Sequence, residues 1–191
     1  MDLGAPVVEN AFVRLEPLDD VHKEPLRAAC EADQDIWEIY PYSMIGAHFE
    51  PFWTHMRAEQ AAGRCLPFAV MAGGVCVGIT CYFVIDPVHG SVEIGGTYYR
   101  PDQRGGAVNP AAKHLLLGHA FARGARRVRF NVDAINARSR AAMLKLGAVQ
   151  EGTLRQDRVC WNGRVRDTVV FSVLAQEWPT VGAELLARLS R

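Results

Sequence analysis

Apolar and polar positions alternate with two different periods along the chain, and the switches between them mark its elements. Residues 12–18 (FVRLEPL) alternate and predict a first strand, followed by a helix over about 19–32. Residues 33–50 keep no period but are rich in aromatics, with Trp37, Tyr40, Tyr42 and Phe49; a second helix is expected over about 51–62, ended by Gly63. Apolar runs at 66–71 and 75–84 flank Gly73-Gly74, a pair that suits a primed turn, so they read as a hairpin. Ser91 to Tyr99 (SVEIGGTYY) reads as a strand, because Val92 and Ile94 alternate with Glu93 and Gly95, and Arg100-Pro101-Asp102 closes it. A helix over about 110–123 follows, with Asn109 as its capping residue, Pro110 at the first helical position and Gly124 past the end. Residues 128–133 (VRFNVD) alternate as a strand, 136–146 form a short helix ended by Gly147, and strands 148–161 and 164–174 turn at Asn162-Gly163. The residues from about 181 read as helical. The resulting order β α α β β β α β α β β puts two helices before a meander and a βαβ unit near the centre. It predicts an α/β (α+β) fold with a mixed central sheet of about seven strands flanked by helices, not a doubly wound one.

A length of 191 residues with 49% hydrophobic side chains fits one domain, 1–191, around one sizeable core. Lys+Arg and Asp+Glu number 21 each, so net charge argues for neither a nucleic-acid nor a membrane partner. The distribution is more informative. Residues 100–140 carry eight Arg and one Lys against Asp102 and Asp133, whereas residues 1–50 carry eleven acids against Arg14, Lys23 and Arg27. The basic segment suits a polyanionic ligand and the acidic one a cationic co-substrate, although solvated helix faces account for both equally well. Five cysteines with no C-x-x-C pair are expected reduced and mostly buried. With no signal peptide and no apolar run of membrane length, a cytoplasmic location is expected. The six histidines show no metal-ligand spacing; His114 and His119, five apart, do not share a helix face, and no metal is expected.

The basic segment contains QRGGAVNPAAKHLLL, residues 103–117, between a strand and a helix. A glycine turn there leaves backbone N–H groups unpaired at the positive end of the helix dipole, which suits a phosphate, or it is an ordinary tight turn. A Walker loop needs Gly-Lys-Ser/Thr, and no lysine occurs until Lys113; a dinucleotide fingerprint needs three spaced glycines, and only Gly105 and Gly106 are present.

This order of elements, with the basic glycine turn after the fourth strand, resembles the GNAT superfamily of acetyl-CoA-dependent N-acetyltransferases. NARSRAAMLKLG, residues 136–147, is similar to the family's helix after the fifth strand, and GTLRQDRVCWNGRVRDTVVFSVLAQEW, residues 152–178, resembles the RimJ/RimL-like branch that acetylates ribosomal-protein N-termini. The resemblance spans about residues 10–178 and is sharpest from Glu93 onward.

It implies an enzyme using acetyl-CoA by direct transfer in a ternary complex. Gln103, Arg104, Gly105, Gly106, Ala107, Val108 and Asn109 would hold the pyrophosphate, which needs an amide cradle with cations nearby. Ala107 stands where the family usually has glycine. Asn136 would hydrogen-bond the pantetheine arm, Asn131 would also contact the cofactor, and Ser139 would lie near the departing thiolate; backbone amides around Thr97 and Tyr98 would polarise the acetyl carbonyl. The tyrosine that many members carry as general acid is here Met143, leaving Ser139 or a water on it as donor. Glu93 is the implied general base, with Asp157 its rival; a solvated or salt-bridged glutamate is the bland reading. Trp37 and Tyr40 would line the acceptor pocket. The acceptor is a primary amine, foremost a protein or peptide N-terminal α-amine, with a polyamine, amino sugar or drug as the alternative and a homodimer allowed. A non-catalytic acyl-CoA sensor remains the reading from another class, kept open by Met143 and Ala107.

Overall fold

In the computed structural model, which describes residues 1–190, Val8–Glu9 (β1) pairs antiparallel with Arg14–Pro17 (β2), the strand predicted first, and so precedes the predicted elements. The sheet therefore has eight strands rather than about seven, because a two-residue strand carries no period to read. Asp19 closes a capping box with His22, and one 3₁₀ turn runs into Lys23–Glu31 (α1). Phe49–Ala61 (α2) starts two residues before the sequence expectation. Cys65–Ala72 (β3) and Val75–Asp86 (β4) turn at Gly73 and Gly74, whose φ of 56° and 79° are those of the predicted primed turn. Ser91–Tyr99 (β5), Val108–Ala122 (α3) and Arg127–Asp133 (β6) form the βαβ unit. Ala137–Leu146 (α4), capped by the Asn136 side chain and closed by Gly147 at φ 94°, leads to Val149–Val159 (β7), Val165–Leu174 (β8) and Trp178–Leu189 (α5).

The sheet order is β1-β2-β3-β4-β5-β6-β8-β7. Every neighbouring pair is antiparallel except β5 and β6. Residues Phe68 and Val70 of β3 face a core built with α3, α4 and α5, while Cys65 and Ala69 face a second core built with α1 and α2. Both faces of β3 and β4 are covered, which is why these strands read as continuous apolar runs.

The parallel pair is what makes room for a site. β5 and β6 pair only from Ser91–Glu93 to Arg127–Arg129 and then separate. Beyond that point β5 follows β4 as far as Tyr99, and β6 follows β8 to Asp133. A bulge sets the divergence: Cys81 pairs with Gly95 and Ile79 with Tyr98, so Gly96 and Thr97 both face Thr80. Gly96 has φ 58°, and a Cβ there would stand 3.0 Å from the Phe83 ring and 3.1 Å from the Tyr42 hydroxyl, so only glycine fits the kink.

Candidate active site

The wedge between the separated strands is a cavity of about 640 Å³, floored by β5 and β6 and walled by α3, α4 and the aromatic loop before α2. At its inner end Glu93 comes from β5, and Asn131 and Arg129, two residues apart on one face of β6, both reach it. Asn131 Nδ2 donates to Glu93 Oε2 at 2.8 Å, and Arg129 Nε lies 3.3 Å from the same oxygen. Burial raises the Glu93 pKa above the usual carboxylate range, with Arg129 and Arg158 opposing but not cancelling the shift. The carboxyl is thus poised nearer neutrality than a surface glutamate, as a general base requires.

At the outer end lies the glycine turn. α3 begins at Val108, not 110, so Ala107 rather than Asn109 occupies the N-cap position, without a side-chain cap. Pro110 falls inside the first turn, where its missing N–H still leaves no helical bond unmade. Ala107 has φ −75°, so the family's glycine is not needed for conformation here; the left-handed residue is Gly105, at φ 80°. Among the described residues no acceptor is bonded to the amides of Gly105 to Asn109, and a Cβ on Gly105 or Gly106 would meet nothing within 4 Å. Lys145 and Arg188 border the same groove beside Gly105, Gly106 and Ala107. Open amides at a helix start, clear space above them and two flanking cations fit a diphosphate ester.

Arg104 is held in place from several sides. It ion-pairs with Asp33, donates to the Tyr99 carbonyl at 2.7 Å, and lies 5.3 Å over the Tyr98 ring, so the turn is anchored to the loop after α1. Its Nη2 is buried without a partner. The acidic first fifty residues are largely answered within the fold in the same way: Glu50 by Lys23 and Arg27, Asp19 and Asp20 by Arg57, Glu9 and Glu16 by Arg14.

Of the residues the sequence nominates, the cavity lining includes Tyr40, Glu93, Thr97, Arg104, Gly105, Gly106, Asn109, Asn131, Asn136 and Ser139. Asn136 uses its Oδ1 to cap Ser139 N at 3.0 Å, leaving its amide nitrogen free to donate. Tyr40 donates to the Thr97 carbonyl at 2.6 Å. Trp37 does not reach the cavity: it is 1% exposed and stacks on Tyr98 at 4.7 Å. The Tyr98 side chain is likewise in that core, bonded to the Ala29 carbonyl, so only its backbone can serve a ligand. Val108 packs in the core beneath the turn, and Gln103 bonds Asp102 away from the wedge. Asp157 sits in a β7 bulge and accepts from Thr168 at 2.8 Å and Arg158 at 3.0 Å. Burial pushes its pKa up, but those two donors outweigh it and hold the carboxyl below its ordinary value.

Several lining residues escape the sequence reading. Arg158 of β7 and Arg166 of β8 flank Glu93's end, Arg166 being 5% exposed and bonded to Thr168 and the Asn131 carbonyl. Lys113, on α3, is 3% exposed and reaches the strand split.

A cleft with open backbone amides at one end and a buried carboxylate at the other suits a group-transfer enzyme. The chain belongs to the GNAT acetyltransferase family: the family model described as an acetyltransferase (GNAT) domain matches residues 13–149. It is similar to a T. thermophilus protein described as an acetyltransferase candidate, at 34% identity over 99% of this chain and 100% of that one, TM-score 0.88. A GCN5-related N-acetyltransferase from Brucella melitensis is 30% identical over 97% and 86%, TM-score 0.87. Mycobacterium smegmatis RimJ, solved with CoA-disulfide, is 26% identical over 92% and 88%, TM-score 0.79. No curated protein matches the chain. Among the described residues no helix is long and apolar enough to cross a membrane, and no group of three or more His, Cys, Asp or Glu could hold a metal ion.

Proposed function

We propose that residues 1–191 act as one GNAT domain that transfers the acetyl group of acetyl-CoA to a primary amine, foremost the α-amine of a peptide or protein N-terminus. The carrying observation is the open wedge between β5 and β6, with unpaired amides at Gly105–Asn109 and a buried Glu93 at its two ends. In this reading those amides hold the pyrophosphate, and Lys145 and Arg188 balance further phosphate charge. The free Nδ2 of Asn136 donates to the pantetheine arm, and amides at the Gly96–Thr97 bulge polarise the acetyl carbonyl. Bound acetyl-CoA supplies the activated acyl group. Glu93 deprotonates the incoming ammonium, directly or through water. Asp157 is the weaker base candidate, because it stands outside the wedge lining and the two donors on its Oδ2 hold its carboxyl below its ordinary pKa.

The RimJ/RimL-like assignment and the α-amine acceptor are supported by the likeness to RimJ and by Arg158 and Arg166 beside Glu93. Two arginines there repel a polyamine but tolerate a single amine followed by peptide carbonyls or a carboxylate. Thiol release with acetyl-CoA and a panel of short peptides, spermidine and an aminoglycoside tests this. Peptides should exceed spermidine at least tenfold in kcat/KM; preference for spermidine would overturn the acceptor, and CoA binding without turnover on any amine would favour a sensor.

Arg104→Glu sets a carboxylate against Asp33 and beside the cradle. CoA affinity measured by calorimetry should fall at least about tenfold, as expected when a charge-assisted contact is reversed. An unchanged Kd would remove the glycine turn from the binding site.

A further inference from the structure

Lys113 lies on the buried face of α3, in line with Leu116, Leu117 and Ala120. Its Nζ donates to Thr97 Oγ1 at 2.8 Å on β5 and stands 5.9 Å from the centre of the Phe130 ring on β6, so the amine bridges the floor of the strand split. Thr97 is itself fixed, by Thr80 Oγ1 at 2.9 Å and by the Tyr40 hydroxyl on its carbonyl. Among the described residues no carboxylate lies within ion-pair reach of Lys113. Leaving an unpaired cation in a core is unfavourable, and an aliphatic side chain would fill the place without that penalty.

We propose that Lys113 is a catalytic acid of the acetyl transfer, giving its Nζ proton to the sulfur as the thioester bond breaks. The inference rests on the transferase reading above. Glu93 takes a proton from the acceptor ammonium, and the freed nitrogen pair forms the amide bond. The carbon–sulfur bond breaks, its electron pair goes to sulfur, and Lys113 protonates that sulfur and is left neutral. Of the two protons the ammonium loses, one leaves to solvent through Glu93 and the other recharges Lys113, so one proton is released per amide formed.

The rival donors on the wedge are poorer. Met143 has no proton to give, and a serine hydroxyl such as Ser139's is a far weaker acid than a thiol. Burial pulls the Lys113 pKa down to about 7. A thiol near 8.5 is then the weaker acid, so transfer to a thiolate runs downhill, whereas an ordinary lysine near 10.4 would oppose it. The charged groups facing the wedge leave that shift standing. Glu93 is matched by Arg129, Asp133 by Arg164 and Arg166, and Arg104 by Asp33. The Tyr40 phenol is pushed up to about 12 by burial and stays neutral, as does Tyr99, raised further by the same cause.

Lys113→Met tests the inference, read first without turnover. In ¹³C-lysine NMR the wild-type resonance that the variant lacks should titrate near pH 7; a midpoint near 10 overturns the proposal. Because the folded pKa lies below the unfolded one, the buried charge destabilises most below about pH 7 and the effect fades toward pH 10. The variant should therefore melt above the wild type at pH 6, with the gain shrinking as pH rises. With the best amine of the panel, kcat should drop about 100-fold, CoA affinity should hold within about threefold, and the wild-type decline of kcat above pH 7 should vanish. A variant with wild-type kcat, or one that keeps the alkaline decline, overturns the role of Lys113 alone. A wild type with no turnover on any amine overturns the transferase reading and this step with it.

Discussion

Glu93→Gln should lower kcat/KM by about 10²–10⁴, the usual contribution of a positioned general base, while CoA affinity stays unchanged. The substitution isolates the proton acceptor because it disturbs little else. Glutamine keeps the shape, and its carbonyl oxygen can still accept from Asn131 Nδ2, now 2.8 Å from Oε2. Arg129 loses its partner but has a side chain 35% exposed, so water can take it up. The pH dependence gives the sharper readout. The Glu93 pKa is raised by burial, so the wild-type kcat/KM should fall on acidification already above the ordinary carboxylate range as the base becomes protonated. The variant should lose that acidic limb. An acid limb that persists in Glu93→Gln, with activity within about fivefold of wild type, would move the base elsewhere, Asp157 being the other candidate.

What could be read from the chain alone follows the range of the interactions. Gly73-Gly74, Asn136 and Gly147 obey rules that act over a few residues, and each does in the structure what its local chemistry predicts; Asn162-Gly163 also lies at the hairpin turn, but in a longer loop between Val159 and Val165 in which only Gly163 is left-handed. The start of α3 does not follow its local prediction: the helix begins at Val108 with Ala107 at the N-cap position and no side-chain cap, so Asn109, the cap the sequence suggests, falls inside the first turn. Glu93 is recognisable as the one charged residue of its strand. Its partners are not, since Asn131 and Arg129 meet it only through the parallel register of β5 and β6. Arg158 and Arg166 reach the wedge through a bulged hairpin on the far side of β6, a placement no local pattern announces. Trp37 misleads for a similar reason: an aromatic loop looks like a pocket wall, yet the ring is consumed by stacking on Tyr98. Lys113 is the instructive case. Its spacing of three, four and seven residues to Leu116, Leu117 and Ala120 already puts it on the buried face. Measured only against a nucleotide-loop pattern, it looks merely like a lysine in the wrong place.

The split of the sheet also depends on a residue with no chemistry of its own, and Gly78→Ala should expose this as a loss of stability of about 3 kcal/mol or more, the upper range for an overpacked core. Gly78 pairs with Tyr99 across β4 and β5. A Cβ there would lie 1.9 Å from the Tyr98 carbonyl oxygen and 2.9 Å from its carbon, and both obstacles are backbone, so no rotamer relieves them. One strand must move. If β5 moves, it takes with it the Tyr98 ring, which is 0% exposed and bonded to the Ala29 carbonyl at 2.8 Å, together with the Tyr99 carbonyl that holds Arg104. Helix α1, the bulge at Gly96–Thr97 and the glycine turn are thereby coupled through one methyl-sized gap. Thermal melting should fall by roughly 6–12 °C, at 2–4 °C per kcal/mol for a chain of this size, and CoA affinity should weaken with it. Gly152→Ala is the matched control, because a Cβ there meets nothing within 4 Å. Should Gly78→Ala melt and bind CoA like that control, β4 and β5 would have to stand farther apart than described, and the divergence of β5 from β6 would need another cause.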